Sequence, residues 1–363
     1  MRYVRLGRSE LEVSSLGLGT LPLGGRYGPP SPQQADRVVG RALDLGVNLF
    51  DTAPNYGQVE ELLGRALGHR RGEVVIATKG GTARDKKGRL TNDAQPEALE
   101  EALNRSLKRL GTEWIDLYQL HLPDPTTPAE LTWEALQEFV REGKIRYIGL
   151  SNFWEADLDA WPDDPTTVAN QLPYNFLYRD IEAGLVQRCA ERDLGVLAYQ
   201  PLLSGLLTGG IPDTSGPGDH RADHPQFQET AQSCVALMDK LRPLADELQL
   251  TPAQLALAWV VSGPGVSCAL AGTRRPEHLE PLARAAERGL SAEERAAVAE
   301  ILAKTHVEIV RTVPMPVEEV LTGPYGPVAR LAMGIKFRAP EGIQAGDQVN
   351  MDIVTGRLNG VRS

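Results

Sequence analysis

Short apolar runs alternate with amphipathic stretches along most of the chain. A possible hairpin over Arg2–Val13 leads into a first strand at Val13–Thr20. Ser31-Pro32-Gln33-Gln34 then opens a helix, with Ser31 as N-cap, Pro32 at the first helical position and Gln34 completing a capping box. Val38, Val39, Ala42, Leu43 and Leu45 recur at helical spacing and give that helix a buried face. The pattern predicts further strands at Asn48–Ala53, Val74–Lys79, Trp114–His121, Tyr147–Asn152, Thr167–Tyr174, Val196–Leu202 and Gly265–Thr273. Helices are predicted at Val59–Leu67, Pro96–Leu110, Pro128–Glu142, Glu155–Ala160 and Ile181–Arg192. A long Gly/Pro/Asp loop runs to about Pro225, and helices follow at Phe227–Leu248, Pro252–Ser262 and Pro276–Arg288.

Eight βα units in series predict an α/β protein built as a (β/α)8 TIM barrel, with an N-terminal β-hairpin and a C-terminal extension. The doubly wound alternative normally carries a G-x-G-x-x-G turn early, and Gly17-Leu18-Gly19-Thr20-Leu21-Pro22 lacks its third glycine. Residues 291–305 read as one more amphipathic helix. Beyond it the texture changes, with Pro314, Pro316, Pro324, Pro327 and Pro340 as punctuation. Within this tail, Gly346–Gly356 alternates like a strand ending in a turn. The expected organisation is a barrel over 1–305 and an extension over 306–363. So short a tail is expected to pack on the barrel or on a neighbouring subunit, which leaves a homo-oligomer open.

A length of 363 residues suits one large domain with an appendage. The hydrophobic share of 42% and charged share of 24% are those of a globular protein. A net charge of −10 argues against nucleic acid as partner. No apolar run is long enough to span a membrane, and Met1–Gly7 lacks a signal-peptide core. Cys189, Cys234 and Cys268 stand singly, as thiols of a reducing cytoplasm do. His220 and His224 are spaced as zinc ligands on a helix, but they lie in a Gly/Pro-rich loop, so no metal is expected.

Barrel active sites lie at the C-terminal ends of the strands. Those positions hold Asp51, Lys79, His121, Ser151, Asn152, Gln171 and Tyr199, with Tyr56 one short loop past Asp51. A free phenol titrates near pH 10, too high for easy proton exchange at neutrality, and a nearby ammonium favours the phenolate. Asp51 is expected to hold Lys79 charged, and Lys79 to lower the pKa of Tyr56, making it a general acid or base. His121 can polarise the same substrate oxygen. Nothing in this set donates hydride, so a nicotinamide is required.

The chain resembles the aldo-keto reductase superfamily, in the branch that includes the potassium-channel β-subunits. The resemblance rests on Leu16–Thr20, Asp51-Thr52-Ala53 with Tyr56-Gly57, Ala77-Thr78-Lys79, Tyr118–His121, Gly149–Phe153, Asn170-Gln171 with Tyr174, and Tyr199 through Gly209. It implies a catalytic tetrad of Asp51, Tyr56, Lys79 and His121. It implies that Ser151, Asn152 and Gln171 hold the nicotinamide carboxamide while Tyr199 stacks on the ring. It extends the cofactor site to Thr20, Gln200, Pro201, Leu202, Ser204, Gly205, Gly272, Arg274 and His278. Gly272–Glu277 resembles the family's 2′-phosphate site, which points to NADP(H) over NAD(H). The chain has His278 where the family usually has Gln, Pro281-Leu282 where it has Glu-Asn, and Gly210 where a lysine is common. Arg221 is a candidate to rebuild that grip. Tyr27, Asn55 and Trp154 are candidate substrate-pocket residues. The implied activity interconverts an aldehyde or ketone and its alcohol. The alternatives are a nicotinamide-sensing binding subunit and a Schiff-base lyase using Lys79.

Overall fold

Period-two alternation builds the strands and 3.6-residue periodicity the helices of the computed structural model, which describes residues 1–222, 225–309, 311–352, 355 and 358–362. The chain opens with β1 (Tyr3–Arg5), β2 (Glu12–Ser14) and β3 (Leu16–Gly19), followed by α1 (Pro32–Asp44), β4 (Leu49–Asp51) and α2 (Val59–Leu67). Next come β5 (Val75–Gly80), β6 (Thr82–Arg84), β7 (Leu90–Asn92), α3 (Pro96–Leu110), β8 (Ile115–Leu120) and α4 (Ala129–Arg141). Then follow β9 (Ile145–Ser151), α5 (Glu155–Ala160), β10 (Thr167–Pro173), α6 (Leu185–Glu191) and β11 (Gly195–Tyr199). The barrel ends with α7 (Pro225–Glu247), α8 (Pro252–Val261), β12 (Val266–Ala271), α9 (Leu279–Arg288) and α10 (Ala292–Ala303).

Strands β3, β4, β5, β8, β9, β10, β11 and β12 pair in parallel and in that order, and β12 returns to β3 to close a (β/α)8 barrel. Alternate residues face opposite ways. Leu49, Ala77, Leu117, Ala169 and Leu197 pack inside the barrel. Phe50, Ile76, Tyr118, Leu172 and Val196 pack outward under the helices. The β1–β2 hairpin adds Leu6, Leu11 and Val13 to the interior cluster, so it floors the barrel at the end opposite the strand C-termini.

Several predicted elements are corrected. The strand expected over Val13–Thr20 divides at Ser15, where the chain leaves the hairpin and enters the barrel. Ser31 caps α1 by accepting from the Gln34 backbone N–H, but the capping box does not close. The Gln34 side chain instead accepts from Arg274 Nε at 3.0 Å. The helix expected over Ile181–Arg192 breaks at Gly184, whose φ of 138° no helix permits. The β6–β7 hairpin was not anticipated.

The extension forms a five-stranded antiparallel sheet. Its strands are β13 (Thr312–Gly323), β14 (Gly326–Leu331), β15 (Lys336–Arg338), β16 (Gln348–Asp352) and β17 (Leu358–Arg362), in the order β15-β14-β13-β16-β17. The turn expected after β16 falls partly outside the described residues, at Ile353, Val354 and Gly356. Pro314 and Pro316 sit in the half of β13 that pairs only with β16. Alternate N–H groups there face an open edge, so proline costs no ladder bond.

The sheet has a small core of Val317, Ala329, Leu331, Ile343, Val349 and Met351. Polar contacts join it to the barrel's loops. Asn92, 1% exposed, donates to the backbone oxygens of Pro123 (2.7 Å) and Lys336 (2.8 Å) and accepts from the Lys336 N–H (3.0 Å). Lys336 Nζ meets Asp124 at 3.0 Å, Arg89 grips Glu318 through two nitrogens, and Arg311 meets Asp180 at 2.6 Å. The three cysteines are free and buried, and burial pushes Cys189 up to about 11 and Cys234 up to about 12. Among the described residues, no helix is long and apolar enough to cross a membrane.

Asn92→Leu is expected to strand the Lys336 amide and two carbonyls. The cost is about 3 kcal/mol or more, because each of the three buried polar groups left without a partner costs about 1–3 kcal/mol. Urea denaturation of both proteins checks this, and equal midpoints contradict it.

Candidate active site

Five of the eight barrel strands carry a polar residue two positions beyond a buried interior apolar one. Asp51 follows Leu49, Lys79 follows Ala77, Gln119 follows Leu117, Gln171 follows Ala169 and Tyr199 follows Leu197. This period-two step places them in one layer at the C-terminal mouth. Lys79 is fully buried and its Nζ donates to Asp51 Oδ1 at 2.6 Å and to the Thr52 carbonyl at 2.9 Å. Asp51 Oδ1 also accepts from Gln171 Nε2 (2.7 Å) and Gln119 Nε2 (3.3 Å). Gln119 was not singled out from the sequence as a site residue. Its signal was the same parity as Lys79 and Gln171.

Tyr56 lies half-buried above this pair. Lys79 Nζ sits 5.2 Å from its ring centroid, and the His121 ring meets it edge-on with centroids 6.0 Å apart. The expected downward shift of the Tyr56 pKa is not found. Burial pushes the phenol up, and the Asp51 carboxylate adds to that push. Burial is the leading cause, and the Lys79 hydrogen bonds go to Asp51 and Thr52. Burial lowers the Lys79 pKa in turn, and Asp51 opposes it. Burial, with Lys79 and Arg26 adding, pushes the His121 imidazole down to about 3. Its Nδ1 is buried without a partner, as is Asn55 Oδ1 nearby in sequence to Tyr56.

The carboxamide candidates form a bonded chain. Tyr199 donates to Asn152 Oδ1 at 2.9 Å, and Asn152 Nδ2 reaches the His121 carbonyl and Ser151 Oγ, both at 3.0 Å. Thr20 is buried, and its hydroxyl and amide both donate to the Asp51 carbonyl, so it steadies β4. The loop after β11 is conformationally tense. Gln200, Leu203 and Ser204 have φ of 55°, 46° and 54°, and Asn152 has 61°.

The phosphate-end candidates are engaged with protein. Arg274 donates to Gln34 Oε1, to the Tyr27 carbonyl and, at 2.7 Å, to the Pro29 carbonyl. Arg221 pairs with Asp219 at 2.6 Å, donates to the Ser204 carbonyl and covers the Tyr27 ring at 4.6 Å. Tyr27 therefore belongs to a tie between two loops, with its hydroxyl 3.4 Å from Ser204 Oγ. Gly272 approaches Gly19 so closely that a Cβ would lie 2.7 Å from its carbonyl. Pro201 is buried, Leu202 and Gly205 are half-buried, and His278 is exposed with Nδ1 3.3 Å from Thr273 Oγ1. His224, the second member of the unlikely zinc pair, lies outside the described residues.

A cavity of about 670 Å³ opens beside the mouth. Asn152, Trp154 and Tyr199 form its inner end, and residues of the extension form its far wall. Of the three pocket candidates, Trp154 lines it, whereas Tyr27 and Asn55 do not.

Known proteins resemble this chain over the barrel. The model of the Aldo/keto reductase family matches residues 15–303. Aldo-keto reductase YhdN of Bacillus subtilis is 35% identical over 317 residues, covering 84% of this chain and 95% of its own length. The NADP(+)-named aldo-keto reductase yakc of Schizosaccharomyces pombe is 35% identical over 280 residues, covering 74% of this chain and 82% of its own. The solved glycerol dehydrogenase AKR11B4 of Gluconobacter oxydans superposes with a TM-score of 0.75 at 33% identity, over 85% of this chain and 97% of that one. The chain belongs to the aldo/keto reductase family, a family of oxidoreductases that generally use NAD(P)H.

The depressed His121 pKa sets a pH dependence. An unfolded histidine titrates near pH 6.5. Between that value and the folded value of about 3, the unfolded chain binds a proton that the folded one does not. Stability is therefore expected to fall as pH drops from 6.5. In His121→Asn that component disappears, so urea midpoints measured from pH 7 to pH 5 should decline less steeply than in the parent. Parallel declines would contradict the assignment.

Proposed function

We propose that the chain is an NADP(H)-dependent oxidoreductase that interconverts an aldehyde or ketone and the corresponding alcohol, with Tyr56 as general acid and base. One observation carries this reading: a half-buried phenol stands over a buried Lys79–Asp51 ion pair, with the His121 ring at its edge. The upward-shifted phenol is protonated at neutral pH, as carbonyl reduction requires. Tyr56 gives that proton to the carbonyl oxygen, and Lys79 then faces the resulting phenolate. A neutral His121 hydrogen-bonds the same oxygen and orients it. A bound nicotinamide supplies the hydride that completes the reduction at carbon.

The residues at the mouth fit that group. Ser151, Asn152 and Gln171 bring hydroxyl and amide groups together beside the half-buried face of Tyr199, which suits a flat ring bearing a carboxamide. NADP(H) is favoured because Arg274 can exchange two neutral carbonyl acceptors for a phosphate, a charge-assisted bond of roughly twice the strength. The name of the S. pombe relative also carries NADP(+). The Schiff-base alternative needs a free amine at Lys79, and the 2.6 Å bond to Asp51 opposes it.

Tyr56→Phe is expected to lower kcat by about 100-fold or more, the usual span for losing an acid–base group. Its affinity for NADPH, read from fluorescence titration, should stay within about twofold, since the change deletes one hydroxyl. Parent-level turnover of a carbonyl panel by this variant would sink the mechanism. Arg274→Met is expected to lower the kcat/KM preference for NADPH over NADH by about tenfold or more, the worth of one hydrogen bond to a charged group. An unchanged preference would remove Arg274 from cofactor selection.

A further inference from the structure

We infer that the C-terminal sheet is the outer wall of the substrate pocket and selects carbonyl compounds with a bulky apolar body. This rests on the oxidoreductase reading above. The cavity begins at Asn152, which donates to the His121 carbonyl, and at Tyr199, which donates to Asn152, and continues past Leu122 and Pro123, which directly follow His121. Its inner side is Trp154, with Tyr199 marking the end where the nicotinamide would lie, and its outer side is Met333, Ile335, Phe337, Met351 and Leu358. The outer residues come from the turn after β14, from β15, β16 and β17. The family match ends at residue 303, so this wall lies outside the part of the chain the family defines.

Charged groups also border the cavity, and four of them are in ion pairs. Lys336 meets Asp124 at 3.0 Å and donates to Thr126 Oγ1 at 2.6 Å. Arg338 meets Asp157 at 3.3 Å and covers the Tyr325 ring at 4.9 Å. Asp352 meets Arg311 at 2.9 Å. A polyol placed here would bury hydroxyls against the apolar side chains of the outer wall, which is unfavourable. An aromatic or branched hydrocarbon body would instead remove the apolar wall from water.

The wall is also fixed in place. Asn92 locks β15 to the loop after β8, and Arg89 ties Glu318 of β13 to the β6–β7 hairpin. The cavity volume of about 670 Å³ lies within the range of small-molecule sites.

Met333 is the residue to change, because it borders the cavity yet is 40% exposed, so its replacement leaves the sheet's core intact. The full chain and its Met333→Asp variant are compared with NADPH and two substrates, 2-naphthaldehyde and glyceraldehyde. The ratio of kcat/KM for naphthaldehyde over glyceraldehyde is expected to fall about fivefold or more, within the worth of an apolar pocket contact. A smaller change overturns the wall. If neither aldehyde is consumed, the oxidoreductase reading fails, and calorimetric titration of 2-naphthaldehyde without reduced cofactor decides the pocket by itself. Binding to the parent that weakens about fivefold or more in the variant keeps the wall. No binding, or equal binding, overturns it.

Discussion

A lysine ammonium with no exposure at all sits 2.6 Å from a carboxylate at the top of the barrel, and the mouth is arranged around it. Taking two ions from water costs several kcal/mol each, and their attraction repays this only when the remaining hydrogen-bonding capacity is filled. It is filled here by the Thr52 carbonyl on Lys79 and by Gln119 and Gln171 on Asp51. These groups come from or follow β4, β5, β8 and β10. Thr20, just past β3, adds two bonds to the Asp51 carbonyl. One charge pair thus ties five strands at their C-terminal ends. Removing either partner would leave a buried charge, a loss of about 3–5 kcal/mol. Tyr56 stands beside the pair, with Lys79 Nζ 5.2 Å from its ring centroid.

The loops around that centre are strained in a complementary way. Four of the six non-glycine residues with positive φ among the described residues are Asn152, Gln200, Leu203 and Ser204. Such conformations cost roughly 1–3 kcal/mol each and persist only where contacts hold them. Asn152 is held by the His121 carbonyl, Ser151 and Tyr199, and the Gln200 carbonyl accepts from Asn175.

What was legible in the sequence was whatever a period could carry. Position at the C-terminal ends of the predicted strands located Asp51, Lys79, Gln171 and Tyr199 together, because barrel strands converge at one mouth. Gln119 shares the parity of Lys79 and Gln171, but its place within an apolar strand masked its role. The extension was not legible as a sheet, since its prolines read as breakers and only pairing reveals which N–H groups are unused. Arg274 could be placed near a phosphate site by its neighbours, but not its present bonds to Tyr27 and Pro29, which depend on loop conformation. The direction of the Tyr56 shift was misread for a related reason. Residue types told of an ammonium near a phenol, whereas burial decides the sign.

The barrel and the extension divide the work for a physical reason. The interior layer around Lys79 has little freedom, because every change there uncovers a charge or an amide. The cavity wall formed by Met333, Ile335, Phe337, Met351 and Leu358 has no such obligation. Those side chains answer only to packing, and apolar exchanges of similar volume cost little. Their sheet is anchored through Asn92, Arg89 and Arg311, none of which touches the Lys79 network. Pocket shape can therefore vary without disturbing the Lys79–Asp51 pair. A segment outside the family's frame is the place where such variation meets the least resistance, and here it is the segment that faces the mouth.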